Sequence, residues 1–335
     1  MHLQLVISNQ TNPYLNVAVE NYLMSVDAPD TVTMYLWKNR RTVVIGQNQN
    51  PFTECNVDTL LADGGYLMRR RTGGGAVYHD DGNLNFSFIV PPSIYNQQRQ
   101  FSVLMTAVAS YGLHCEVSGR NDVLCEGRKF SGNAFSKGTY QRLHHGTILI
   151  KTDVELLQRY LLVKRSKLQK HGVASVQSRV VNLSELVPPD PSRAEHPEGI
   201  TSQNIQPHLI EAFGKEYGEP LEVLDFNTLA AKSEVQELYR QFASEEWKYG
   251  RWKHFSAQRT AQFDWGLVEM ALEVDEAQGL VTQVQIATDS LDTDIAPLAQ
   301  RLLTGASTRL SPAIPQDIPP AEAQMLGDIF SLIYD

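Results

Sequence analysis

Cysteine is scarce in this chain. Cys55, Cys115 and Cys125 are the three among 335 residues; an odd number without a CxxC pair excludes a disulfide framework and offers no zinc-ribbon spacing. Free thiols in a reducing, cytoplasmic setting are the expectation. Also missing is any run near the ~20 apolar residues that a bilayer-spanning helix needs, and Met1 to Ser8 has no basic, apolar leader pattern. Basic residues are in deficit as well. With 29 Lys and Arg against 38 Asp and Glu, the formal net charge is -9, so neither nucleic acid nor membrane is an expected partner, although one local basic site is compatible. The 42% hydrophobic and 20% charged residues are those of a globular protein with a sizeable core, and the length suits one large and one smaller domain.

Periodicity outlines the elements. Asn12-Pro13 followed by Leu15, Ala18, Val19, Tyr22 and Leu23 predicts a capped amphipathic helix ending before Asp27. Thr31–Trp37 alternates with Val32, Met34 and Leu36 on one face, and Thr42–Ile45 is a second β-branched run; the two are expected to pair. Further strands are predicted over 66–71, 76–78, 84–90, 128–135 and 143–150, with helices over 102–111 and 153–162. So many strands with so few helices between them predict an α+β fold, a mixed, largely antiparallel sheet with flanking helices, and argue against a doubly wound one. The four prolines in 187–197 predict a stiff exposed connection inside the larger domain. Strand patterns resume over 263–274 and 280–288. The expected division is 1–250 and 251–335.

Three segments carry chemistry. Arg69-Arg70-Arg71-Thr72-Gly73-Gly74-Gly75-Ala76-Val77-Tyr78 places three guanidinium groups before three glycines. Glycine lets successive N–H groups converge on phosphate oxygens and arginine adds charge-assisted bonds, so this reads as an anion site on a glycine hairpin; the other reading is a structural turn with solvated arginines. It is not a P-loop, because GxxxxGK[ST] does not occur. Next come Gly119-Arg120-Asn121-Asp122 and Gly127-Arg128-Lys129-Phe130-Ser131-Gly132-Asn133-Ala134. Asp122 reads as a Mg²⁺ ligand or as a turn residue, Lys129 as a point charge between a carboxylate and an α-phosphate or as a solvated lysine. Third, His144-His145-Gly146-Thr147 opens an apolar strand. Adjacent strand residues face opposite sides, so these histidines do not chelate one ion, and no structural zinc is expected.

In this order the three segments resemble the lipoate–protein ligase A family. Asn12–Glu20, Thr42–Gly46, Asn50–Asn56 and Ser175–Leu183 extend the likeness over about 290 residues. The resemblance implies a biotin/lipoyl ligase catalytic fold, similar to class II aminoacyl-tRNA synthetases, with a small C-terminal α/β domain; Phe263–Gly266 and Thr288–Leu291 resemble that part. It implies ATP, Mg²⁺ and lipoate, a lipoyl-AMP intermediate, and transfer to a lysine of apo lipoyl domains of 2-oxoacid dehydrogenase complexes or of the glycine-cleavage H protein. It assigns Lys129 as catalytic residue, and Arg70, Asn121, Asp122, Gly75, Ala76, Val77, Tyr78 and Lys129 to ATP and lipoyl-AMP. To lipoate it assigns Arg70, Gly74, Gly75, Lys129 and His145, and to the metal Asp122. It also implies an adenylate cover over 164–182, with Lys167, Lys170, His171, Gly172 and Arg179. Competing readings are an ATP-independent octanoyl or lipoyl transferase that uses a cysteine thioester, for which Cys125 is the candidate, a biotin ligase, and a non-catalytic binding protein of the same fold.

Overall fold

A computed structural model describes residues 1–119, 121–162, 180–218, 221–250, 257–275 and 278–334. Only helices of nine residues or more are numbered below.

An eight-stranded sheet organises the first 250 residues. Its strands are β1 (His2–Ile7), β2 (Thr31–Trp37), β6 (Asn83–Val90), β7 (Cys115–Ser118), β8 (Asp122–Cys125), β9 (Arg128–Lys137), β10 (Arg142–Leu149) and β11 (Leu221–Leu224), in the order β11-β1-β2-β6-β10-β9-β8-β7. Only β11-β1 and β1-β2 are parallel; the other pairs are antiparallel. The sheet is therefore mixed and largely antiparallel, as expected. Helix α1 (Pro13–Ser25) starts where Asn12 accepts hydrogen bonds from Tyr14 N and Leu15 N, with Pro13 in the first turn. It packs with α4 (Ser233–Ala243) on one face, while α2 (Gln97–Ala109) and α3 (Ile205–Tyr217) pack on the other. Covering both faces explains why β2 is buried along nearly its whole length: Val32, Met34 and Leu36 join the α2/α3 core, and Tyr35 and Trp37 the α1/α4 core.

A second, three-stranded sheet lies over the α1/α4 side. It comprises β3 (Thr42–Ile45), β4 (Tyr66–Arg69) and β5 (Val77–His79), with β3 in the middle. Two expectations fail here. β3 does not pair with β2, whose neighbours are β1 and β6; period-2 patterning reports a strand's faces but not its partner. The glycine segment is not a hairpin either. β4 runs parallel and β5 antiparallel to β3, on opposite edges of it, so Gly73–Gly75 crosses the end of β3. The 187–197 segment is, as expected, a connection without regular elements.

Residues 257–334 build a core of their own. β12 (Ala257–Phe263), β13 (Gly266–Asp275) and β14 (Leu280–Thr288) form an antiparallel sheet. Helices α5 (Ile295–Leu303) and α6 (Pro320–Tyr334) close it through Ile295, Leu303, Leu326, Ile329 and Phe330, each side chain contributing ~1.5–3 kcal/mol on full burial. This unit meets the larger one through backbone: Thr288 N–H donates to Asn48 O (3.1 Å) and Gly74 N–H to Ser290 O (2.9 Å).

Candidate active site

The sites predicted separately along the sequence converge on one cavity of about 340 Å³. Its floor is the polar side of β6 and β10. Along β6, Leu84, Phe86, Phe88 and Val90 enter the α2/α3 core, which turns Asn85 and Ser87 to the other side, and His145 lies opposite Ser87. Arg70, Gly74, Gly75, Ala76 and Val77 form one wall, Asn121, Asp122 and Lys129 another, and Val17, Trp37, Val44 and Leu291 add apolar surface.

A β-bulge aims Lys129. Asp122 opposes Gly132 and Val123 opposes Ser131, but Leu124 opposes Lys129, leaving Phe130 as the extra residue. In a regular strand Lys129 would oppose Cys125 and face the core. The bulge puts Lys129 on the side of Gly132 and Asp122. Its Nζ lies 2.7 Å from Asp122 Oδ1, and a Cβ on Gly132 would sit 2.9 Å from Nζ, so glycine there makes room for the lysine. Both partners are about one-third exposed, which leaves this pair open to exchange with a ligand.

The arginines are not the free anion clamp that their clustering suggests. Arg69 donates to the carbonyls of Gln47 (2.9 Å), Gln49 (2.6 Å), Trp247 (2.9 Å) and Lys248 (2.8 Å). Arg71 packs over Phe242 and Trp247 and donates to Gln241 Oε1. Arg70 alone lines the cavity, and it donates to Val44 O, Thr72 Oγ1, Gly73 O and Gly75 O. Burial lowers its pKa to about 10, opposed by the Glu20 carboxylate. Arg69 and Arg70 are buried against backbone carbonyls, Arg71 is exposed, and Arg70 is the member of the triplet that holds the glycine loop. Gly74 needs its φ of +92°, and a Cβ on Gly73 would fall 2.0 Å from Ser290 O.

Other expected residues sit as follows. The Tyr78 side chain points away from the cavity into the core around Cys55 and Tyr160, because alternation along β5 gives the cavity side to Val77 and His79. His145 lines the cavity with both ring nitrogens engaged, Nδ1 by Glu20 Oε1 (2.8 Å) and Nε2 by Thr72 Oγ1 (2.9 Å). His144 faces the opposite core, between Gln100 and Asn133, and burial holds its pKa well below the usual value. None of the cysteines lines the cavity: Cys125 is fully buried in the α2/α3 core, and burial pushes the Cys55 thiol up to about 12. Arg120 and the expected cover residues Lys167, Lys170, His171, Gly172 and Arg179 lie outside the described residues.

The profile of the lipoyl protein ligase A/B catalytic domain matches residues 12–213, and that of the bacterial lipoate protein ligase C-terminus matches residues 253–309. A lipoate-protein ligase A of Psychrobacter cryohalolentis is 35% identical over 310 residues, covering 90% of this chain and 88% of that one. This chain belongs to the lipoate–protein ligase A family. A second relative of that name, from Bdellovibrio bacteriovorus, is 36% identical and covers 86% and 84% of the two chains. Among solved structures, P. falciparum LipL1 in complex with lipoate superposes with a TM-score of 0.80 at 26% identity, covering 98% and 99%.

For a lipoate–protein ligase A family chain, the residues that sequence reasoning passed over are instructive. Glu20, Trp37, Thr72, His79, Asn85 and Leu291 all wall the cavity or brace it. Two signals were available. Asn16 and Glu20 occupy the buried stripe of α1 together with Val19 and Leu23, and Asn83, Asn85 and Ser87 alternate with the apolar residues of a strand buried on both faces. Polar side chains at positions that the period assigns to a core point to a site.

Proposed function

We propose that this protein is an ATP-dependent lipoate–protein ligase, cytoplasmic, with 1–250 as catalytic domain and 251–335 as accessory domain. It activates lipoate as lipoyl-AMP and transfers the acyl group to a lysine of apo lipoyl domains or of the glycine-cleavage H protein. The observation that carries this is the Lys129–Asp122 pair facing the glycine loop across one cavity, in a chain of this family.

The chemistry follows from that arrangement. A lipoate carboxylate oxygen attacks the α-phosphorus of ATP and pyrophosphate departs. Lys129 exchanges Asp122 for the developing charge on the reacting oxygens, a compact cation at the place where negative charge builds. Asp122 would hold Mg²⁺ through the hard carboxylate oxygen that this ion prefers, and the ion would supply charge to offset the phosphates. Arg70 holds the glycine loop, with Ala76 and Val77 beside it, and Asn121 stands on the opposite wall with Asp122 and Lys129. The ε-amine of the carrier lysine then attacks the acyl carbonyl, the bond to the phosphate oxygen breaks, and AMP leaves as the amine loses its proton. No enzyme nucleophile is required. A thioester route is disfavoured because Cys125 is buried away from the cavity.

The test is mass spectrometry of an apo lipoyl domain incubated with the protein, lipoate, Mg²⁺ and ATP, beside an ATP-free control. A lipoyl mass increment that needs ATP is the expected result. An increment from an acylated carrier without ATP, retained in Cys125→Ala, would overturn both the ligase and the thioester readings.

A further inference from the structure

A buried chain of polar side chains runs from α1 to the glycine loop. Glu20, 1% exposed, accepts from Ser87 Oγ, which in turn accepts from Trp37 Nε1 (3.0 Å), and Glu20 Oε1 lies 2.8 Å from His145 Nδ1. His145 Nε2 lies 2.9 Å from Thr72 Oγ1, and Arg70 Nε donates to that same hydroxyl at 2.9 Å. Arg70 Nη2 then bridges Gly73 O (2.7 Å) and Gly75 O (2.9 Å).

The donors order this chain. A guanidinium only donates, so Thr72 Oγ1 accepts from Arg70 Nε while the same hydroxyl pairs with His145 Nε2. A carboxylate only accepts, so His145 Nδ1 carries the hydrogen that faces Glu20, and Nε2 is the ring atom that meets Thr72 Oγ1. The links are thus continuous, with the Glu20 carboxylate at one end and a buried guanidinium at the other. Because peptides are trans, carbonyls of Gly73 and Gly75 turned towards Arg70 send the N–H of Gly74 to Ser290 O, which accepts it at 2.9 Å, and the N–H of Ala76 away from the guanidinium.

We propose that Glu20 is a positioning residue for adenylation: acting through His145, Thr72 and Arg70, it fixes the glycine loop in the orientation that receives the phosphates. This rests on the reading of that loop as the nucleotide site.

Thr72 gives the cleanest test, since valine removes the hydroxyl at nearly constant volume and serine retains it. The assay is pyrophosphate release with lipoate, Mg²⁺ and ATP. For Thr72→Val we expect KM for ATP to rise about tenfold, the effect of losing one buried, charge-linked hydrogen bond, with a smaller change in kcat. Thr72→Ser should stay within about twofold of the parent, and both variants should melt within a few degrees of it. Glu20→Gln should raise KM in the same direction, and the double variant Glu20→Gln/Thr72→Val should be no worse than Thr72→Val, because members of one chain are not additive. Equal KM values for the valine and serine variants, or additive losses in the double variant, would overturn the proposal. A parent protein that releases no pyrophosphate would instead overturn the reading of function.

Discussion

The two units of this chain bury different chemistry. In the larger one, Glu20, Arg69, Arg70, His79, Asn83, Asn85, Asn133, His144 and His145 are all less than one-tenth exposed. Beyond residue 256, the buried polar residues among those described are Thr288 and Ser290, and both lie at the junction with the larger unit. The core of β12–β14, α5 and α6 is otherwise aliphatic and aromatic. Packing alone is satisfied by apolar side chains; buried charge is costly unless it is partnered, and here Glu20, Arg70 and His145 are partnered beside the cavity while Arg69 is held by backbone carbonyls.

That contrast can be broken by substitution. Lys129→Ala should lower the adenylation rate ~10²–10³-fold while leaving the melting temperature nearly unchanged, read by pyrophosphate release beside calorimetry. Full activity in a folded variant would remove the lysine from the chemistry. Leu326→Ala should do the reverse, costing about 3 kcal/mol of stability in the C-terminal unit through the cavity it leaves, with little loss of adenylation in the folded enzyme. Hydrogen exchange of β13 and β14 would read the stability change.

Acid should separate the units further. Burial lowers the pKa of His79 to about 3, helped by Arg70 and His145, and holds His144 well below its usual value. Both titrate near 6.5 in the unfolded chain, so the unfolded state binds more protons below that pH. Stability is fully present above about 6.5 and falls as pH drops towards the folded values, by roughly 2 kcal/mol for the pair between pH 6 and 5. No histidine occurs after residue 254. Protection in β6 and β10 should therefore fall over this range more than in β13 and β14; equal losses would mean that the two units unfold together. Smallest of all, Tyr78→Phe should change activity and stability little, within ~1 kcal/mol, because the buried Tyr78 hydroxyl has no hydrogen-bond partner among the described residues and faces away from the cavity. A large loss of activity would return Tyr78 to the site.

How much of this could be read from the sequence depends on range. Helix α1, β2, β6 and β10 follow from local period and capping, and the Lys129 segment is recognisable as a motif. Partner choice is not local. β1 takes β11 as a neighbour from more than 200 residues away, and two of the carbonyls that engage Arg69 belong to Trp247 and Lys248. An arginine triplet beside glycines therefore looks like a phosphate clamp until its long-range acceptors are known. Likewise Glu20 is visible as a charge on a buried stripe, whereas its connection to Thr72 through His145 requires three elements to meet.

The bulge at Phe130 bears on how this site tolerates change. Phe130 and Ser131 are consecutive inward residues, so the strand's pattern slips by one phase between Lys129 and Gly132. The lysine's address is thus encoded by a count of residues as much as by their identity. Drift that exchanges Phe130 for another apolar residue keeps the address, whereas an insertion or deletion that restores strict alternation while keeping every motif letter would turn the cation into the core.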